Sequence, residues 1–531
     1  MNYYVFLVIL FAAAGVAAAG AGRLRFSFPE KLETRLLWLM TLLFFLVYAA
    51  LGCYKLEAMQ MGNWDFGIYD SMLRNAANGR GLMQDYRGAF DHFSPISLLF
   101  APLYRLYDTQ MWLVLIQAAA LAFAAPLLHA TAKLRFRKGV FPLLLTAMYL
   151  FNPYYSRMVL FDFHAESLFP LFFFGAFYFL GRKRMLPFFL LLALSPLVKE
   201  DFVIPVGATG LWLLTQRGRR LWGAGAIAAA LFWTFFVLKI YYPYILNVNY
   251  FHYGRYELFA PTFSQTLHNA GAMTGRLLYK SVPGVVLSVL VPFALLPLGN
   301  WKMFVLLWLP VIGIQLVSAQ PHQQLLMSHY SSALLAVTPV VALYGMRSLR
   351  AMSRKRRQLR RLKQPALAAA VVLMLGCHVV CCDLPLSRYV QYTVDKLPPY
   401  QGGVLSLPLR PIYWEEMLNR LLHADGARAL FEQLPLTPES TVVCQNEPGV
   451  WFLPKARVFD FPVIGFGTPP VFRADFFVLD RNNYSGRKET FYELPPVLNS
   501  LLPEEEYGVI DDPGGVLIFY RRATGTQPAA R

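Results

Sequence analysis

Residues 36–54, LLWLMTLLFFLVYAALGCY, decide the fold. They are nineteen consecutive residues without a charge, closed by Arg35 on one side and Lys55 on the other. At about 1.5 Å per residue such a helix spans roughly the 30 Å hydrocarbon core of a bilayer. Only a helix satisfies its own backbone polar groups there. Comparable stretches recur at 3–22, 110–132, 139–155, 166–181, 185–198, 202–216, 222–241, 284–299, 303–319, 330–346 and 365–383, with a shorter helix at 94–107 near the surface. The composition agrees: 56% of the 531 residues are hydrophobic and 15% charged, with 43 Phe, 29 Tyr and 10 Trp. A typical soluble domain carries about 25% charged residues. Disorder and an ordinary cytosolic enzyme are excluded. The expected fold is an α-helical multi-pass transmembrane protein of about 11–13 helices.

The net charge of +18 invites two readings, a nucleic-acid binder or a membrane protein with basic cytoplasmic loops. Position decides between them. If 3–22 enters from outside, the loops 23–35, 133–138, 182–184, 217–220, 300–302 and 347–364 face the cytoplasm. They hold 24 basic residues against two acids, Glu30 and Glu33, a balance of +22. The rest of 1–383 balances at −1 and residues 384–531 at −3. An even number of spans separates each basic loop from the next, so both ends of the chain are expected outside. The run from Arg354 to Lys363 is a topological anchor, and no nucleic-acid partner is implied.

The N-terminus Met1-Asn2-Tyr3-Tyr4 has no basic segment before its apolar run, which reads as a retained span. Five cysteines form neither a metal spacing nor a disulfide framework. Residues 384–531 are richer in Pro and Gly, with β-rich runs at 441–444, 457–461, 475–479 and 515–520 and helical patterns near 412–423 and 490–502. They read as an extracytoplasmic α/β domain following a polytopic domain, 1–383.

Ionisable residues near a membrane are costly, so their distribution carries information. The first outer loop, 55–93, contains Trp64-Asp65-Phe66-Gly67-Ile68-Tyr69-Asp70 and Asp91-His92-Phe93-Ser94-Pro95. Later outer turns carry Phe161-Asp162-Phe163-His164-Ala165-Glu166, Lys199-Glu200-Asp201, His252-Tyr253-Gly254-Arg255, His322 and His329-Tyr330. Each has a structural reading: Asp65 and Asp70 suit helix caps, and 199–201 suits a self-neutralising turn. Their gathering on one face favours a site. Carboxylates beside His, Lys and Arg suit deprotonation of a hydroxyl and stabilisation of a departing phosphate. The same side chains could gather a divalent cation, although no zinc-type motif occurs and no cofactor is assigned.

In their order, Trp64–Asp70, Asp91–Pro95 with Ala101-Pro102-Leu103-Tyr104, Phe161–Glu166, Lys199–Asp201 and the closing Tyr507-Gly508-Val509-Ile510 and Gly515-Val516-Leu517 resemble the domain-of-unknown-function 2079 family of predicted bacterial membrane proteins. That family is similar to the GT-C glycosyltransferases, which use polyprenyl-phosphate-linked sugars. The resemblance implies a catalytic acid at Asp65 and a second element at His92 and Pro95. Phe66 stands where the commonest form has a second acid, which leaves Asp70, Asp162 and Glu200 as alternative bases. His92, His164, Glu166, Lys199, Asp201 and Arg255 are then candidates for contacts to phosphate or acceptor. The function expected is transfer of a sugar from a polyprenyl-phosphate lipid to an extracytoplasmic acceptor at a bacterial inner membrane. The alternatives are a transporter or lipid-binding protein without covalent chemistry, and a scaffold. Few charges lie inside the spans, Lys239 being the main exception, which disfavours a transport path.

Overall fold

The computed structural model describes residues 3–20, 28–80, 92–137, 139–247, 282–326, 328–355, 363–381, 411–460, 474–480 and 505–522, with isolated positions at 250, 252, 255, 264, 265, 269 and 502. Every apolar stretch named above carries helix. In chain order these are α1 (Tyr3–Gly20), α2 (Glu30–Glu57), α3 (Ile68–Ala77), α4 (Ala101–Leu106), α5 (Met111–Lys133), α6 (Phe141–Leu150), α7 (Pro153–Leu160), α8 (Phe169–Gly181), α9 (Met185–Ala193), α10 (Val203–Leu214), α11 (Arg220–Phe235), α12 (Val282–Leu290), α13 (Trp301–Leu316), α14 (Ser332–Lys355) and α15 (Lys363–Cys381). Four helices, Glu30–Glu57, Met111–Lys133, Arg220–Ile245 and His322–Lys355, are long and apolar enough to cross a membrane by length and composition. Among the described residues the other apolar helices are shorter, and prolines or 3-10 turns interrupt several of them, as at Pro142, Pro196 and Pro292.

α2 shows how sequence becomes a lipid-facing helix. Glu30 and Glu33 sit in its first turn and Lys55 in its last, each matched to the helix dipole. Leu37, Thr41, Phe44 and Tyr48 are buried at helical spacing, while Trp38, Leu39, Leu42, Leu43 and Leu46 are exposed. Thr41 returns its hydroxyl to the Leu37 carbonyl at 2.9 Å, so no polar atom of that turn meets lipid. The short helix at 94–107 keeps Leu98, Leu99, Leu106 and Tyr107 exposed, as a surface-lying segment would.

α14 is the central strut: 88% of its most apolar stretch is buried. Close approach depends on glycine at a few crossings. A Cβ at Gly345 in α14 would collide with the Leu296 carbonyl, and Cβ atoms at Gly210 (α10) and Gly223 (α11) would each lie 2.8 Å from the other's carbonyl oxygen. Small residues let backbones meet where lipid supplies no hydrophobic drive.

The C-terminal unit contains α16 (Pro411–Phe431), β1 (Thr441–Cys444), α17 (Asn446–Phe452), β2 (Arg457–Asp460), β3 (Phe476–Asp480), β4 (Tyr507–Asp511) and β5 (Val516–Arg521). The sheet order is β2-β1-β3-β5-β4, with β1 parallel to β2 and β3, and β5 antiparallel to β3 and β4. The strands expected at 441–444, 457–461, 475–479 and 515–520 are present. β4 is added; its half-exposed residues, with Val509 outward, give a weak alternation that the sequence reading missed as a strand. The helix expected near 490–502 and the boundary at 383–384 fall outside the described residues.

Candidate functional site

The site is built on helix ends held by side chains from other helices. α7 stops at Leu160, and its last carbonyls have no partner within the helix. Gln117, midway along α5, donates to the carbonyls of Met158, Val159 and Phe161 at 3.1, 3.3 and 2.9 Å. Lys55 caps the Leu160 carbonyl at 2.7 Å. The same Gln117 accepts the His164 amide at 2.9 Å through its Oε1. Residues 161–164 are thus fixed in a turn, and Asp162 accepts the Gly62 amide at 3.1 Å, tying that turn to the first loop.

Gly62 immediately precedes a π-turn, Asn63–Gly67, which leads into α3 and carries Asp65. The Asp65 carboxylate lies 3.6 Å from His164 Nε2, with 39% of its side chain exposed. The His164 ring donates from Nδ1 to the Asp162 carbonyl at 2.9 Å and stacks on His329 with centroids 3.7 Å apart. Glu166, 1% exposed, pairs with Lys199 at 2.7 Å, and Lys199 has Asp201 on its other side at 3.7 Å. Arg255 reaches the Tyr330 hydroxyl at 3.4 Å, and both Lys199 and Arg255 lie about 6.0 Å from the Tyr330 ring centre. Glu200 accepts from His92 Nδ1 at 2.7 Å, the Tyr250 hydroxyl at 3.0 Å and the Phe93 amide at 3.0 Å.

Burial and mutual charge set the protonation states. Burial works against a charged His164, but Glu166 and Asp65 overcome it and raise the imidazole to about 9, so it is an imidazolium at neutral pH. Burial, with the adjacent Lys199 charge, holds His92 well below the usual histidine range, so it donates to Glu200 as a neutral ring. Burial raises Asp162 to about 7, with Asp65 adding and Lys55 opposing. It raises Asp201 to about 6 against the pull of Lys199. Lys199 stays firmly protonated, because Glu166, Asp201 and Glu200 outweigh its burial. The arrangement offers two part-exposed carboxylates, Asp65 and Asp201, beside fixed cations, with Asp162 and Asp201 raised toward neutrality.

Two groups could hold a metal ion: His92, Glu200 and His252, and His164, Glu166 and His329, each with ligand atoms within 4.8 Å of one another. In both the two imidazoles are stacked, 4.4 Å and 19° apart in the first and 3.7 Å and 12° in the second. Stacked rings aim their lone pairs in parallel, whereas ligands about 2.1 Å from one ion must converge on it. Glu200 already accepts three hydrogen bonds. Glu166 Oε2 and His329 Nδ1 accept none, so the second group would be the acceptor of an ion, after a rotation of one ring.

Of the sequence candidates, Asp65, Asp162, His164, Glu166, Lys199, Glu200, Asp201, His92 and Arg255 lie in this connected neighbourhood. Asp70 does not join them. Its buried carboxylate accepts from the Tyr104 hydroxyl at 2.8 Å, Gln110 at 3.0 Å and Arg74 at 3.3 Å, and Arg74 also pairs with Asp108. Nor does Asp70 cap α3, whose first residue follows Gly67 without a side-chain cap. Sequence reasoning missed Gln117 and Lys55; a glutamine amid an apolar span was the available signal. Asp91 falls outside the described residues.

Several solved structures are similar to the chain, among them two glycosyl-transfer proteins. One is ArnT from Cupriavidus metallidurans, at 12% identity and a TM-score of 0.48, covering 91% of this chain and 98% of that one. The other is the oligosaccharyltransferase of Archaeoglobus fulgidus, in a complex with Zn and sulfate, at 12% identity and a TM-score of 0.38, covering 90% of this chain and 73% of that one. No curated protein matches the sequence. Residues 55–446, from the first outer loop to the first turn of α17, match the family described as predicted membrane protein, DUF2079. The chain therefore belongs to the DUF2079 family of predicted membrane proteins.

Proposed function

We propose that this chain is a GT-C-like membrane glycosyltransferase that moves a sugar from a polyprenyl-phosphate lipid to an acceptor hydroxyl, in a bacterial inner membrane with the C-terminal unit outside. The observation that carries the reading is the meeting of a part-exposed carboxylate, Asp65, with the buried His164 and Glu166–Lys199 groups and the part-buried Arg255, although these come from four separate connections. The one-sided placement of basic loops supports the orientation.

In this reading Asp65 takes the proton of the acceptor hydroxyl. The hydroxyl oxygen forms the new glycosidic bond as the bond between the sugar and the phosphate oxygen breaks. The electron pair leaves on the lipid phosphate, which Lys199, Arg255 and the His164 imidazolium hold. An apolar cleft lined by Phe202, Ile204, Pro205, Val311, Ile314 and Ala333 opens from Lys199, Asp201 and Tyr330 between α10 and α13. The test is Asp65→Asn in the native host. Loss of a glycan or a build-up of lipid-linked sugar, with the protein at normal abundance, is expected. An unchanged glycan and lipid-sugar profile overturns the assignment.

A further inference from the structure

We infer that the C-terminal unit positions Asp65: α17 is the backing of the π-turn that carries it, and Gln110 is the latch between them. The inference rests on the role proposed for Asp65 above, but its geometry stands independently.

The π-turn is pressed from behind by the other unit. A Cβ added at Gly67 would lie 2.7 Å from Leu453 Cδ1, and one added at Gly449 in α17 would lie 3.0 Å from Asn63 Cβ. The first is closer than real Cβ contacts come and the second is tighter than most, so both glycines mark places where one unit's backbone packs against the other's side chains with no room to spare. Asn63 and Phe66 in the turn are fully buried. Beside the turn, the Gln110 amide donates to the Val450 carbonyl of α17 at 2.7 Å and to Asp70 at 3.0 Å. Asp70 lies on α3, which continues directly from the turn. One side chain thus holds α17, α3 and the start of α5 in register, and Asp70 acquires a role away from the cluster.

Little else holds the turn from that side. A cavity of about 180 Å³, lined by Glu57, Met59, Met61, Gln110, Arg428 and Trp451, separates the two units next to it. Beyond the cavity an Arg428–Glu57 pair closes the seam at 2.5 Å. From that side the turn's position therefore rests on its packing against α17 and on the Gln110 bonds. The elements that carry Glu166, Lys199 and Arg255 do not use those contacts. Asp65 must stand within hydrogen-bond reach of an acceptor hydroxyl, and a displacement near 1 Å costs such a group on the order of a hundredfold in rate. Gly449, Leu453 and Gln110 are accordingly positioning residues.

The test uses the full chain in lipid nanodiscs with Gln110→Met, which keeps length and removes both hydrogen bonds, and the graded pair Gly449→Ala and Gly449→Val. Hydrogen exchange of peptides covering 61–67 is expected to accelerate about tenfold or more, with 161–168 and 199–203 unchanged. With a synthetic polyprenyl-phosphate hexose as probe, kcat is expected to fall about tenfold for Gly449→Ala and more for Gly449→Val, with KM for the lipid unchanged. Unaltered exchange at 61–67 overturns the inference, as does equal loosening of all three regions, which would mark general destabilisation. If the unsubstituted protein turns over no polyprenyl-phosphate hexose, the proposed reaction fails, while the exchange data still decide whether α17 holds the turn.

Discussion

Removing both partners of the Glu166–Lys199 pair should cost less than the two single removals added together. The pair is 2.7 Å long, and the two side chains are 1% and 4% exposed. Breaking a buried pair from one side strands a charge and typically costs about 3–5 kcal/mol. In Glu166→Gln, Lys199 keeps Asp201 at 3.7 Å, which should reduce the cost to about 2–3 kcal/mol, toward the low end for such pairs. In Lys199→Met, Glu166 is left with only the His164 imidazolium as its counter-charge, and a cost near 3–4 kcal/mol is expected. The double variant carries neither charge, so its cost should fall short of the sum of the two by about 2 kcal/mol or more. Reversible unfolding in mixed detergent micelles, followed by tryptophan fluorescence, measures all three; Trp212 and Trp308 are buried within the bundle. Additivity within about 0.5 kcal/mol would refute the argument, since it would mean that the two groups do not share a buried field. Activity separates structure from function in the same cycle: the double variant should keep more stability than the summed single losses would leave, and still fail to bind the donor phosphate.

Three further outcomes are expected. Asp162, Asp201 and His164 hold protons more tightly in the folded chain than in the unfolded one, so each contributes stability that is lost as pH rises through its folded value. The lowered His92 works in the opposite sense as pH rises through about 6.5. Asp162, raised to about 7 by burial, gives up its share between the unfolded carboxylate range and pH 7, and His164, raised to about 9, does so between about 6.5 and 9; Asp162→Asn should flatten the lower part of a melting-temperature profile and His164→Gln the upper. Gln117→Leu strands the carbonyls at the end of α7 and the His164 amide, so at about 1–3 kcal/mol per stranded group it should lower the melting temperature more than Gln110→Met does. Gly345→Ala should sharply reduce the yield of folded protein in detergent, measured by size-exclusion profile, because its methyl group meets the Leu296 carbonyl rather than a yielding side chain.

The helices and most strands could be read from the sequence because their signals are local. An uncharged run such as 36–54 carries its own explanation, and most β-rich runs of the C-terminal unit are short, nearly unbroken apolar stretches buried on both faces. The candidate cluster was legible as a set of residue types on one side of the membrane. Its pairings were not. Nothing near Glu166 in the chain announces Lys199, and the stacking of His164 on His329 joins segments that share no pattern. Asp65 and Asp70 show the limit most clearly: one motif holds both, yet the turn between them sends one carboxylate toward His164 and the other toward Tyr104 and Gln110. β4 lacked a signal because one of its faces is open.

Gln117 also has a consequence for how the protein is made. Its side chain sits within an apolar helix, and the groups that satisfy it, from Met158 to His164, lie 41 to 47 residues further along the chain. When α5 emerges from the ribosome and enters the bilayer, those groups have not been synthesised. The carboxamide must then wait in lipid, at the translocon or against a chaperone until the end of α7 arrives. Insertion and tertiary assembly are thus coupled in time, and a pause in synthesis between α5 and α7 would lengthen the interval in which the half-made protein is exposed to membrane quality control.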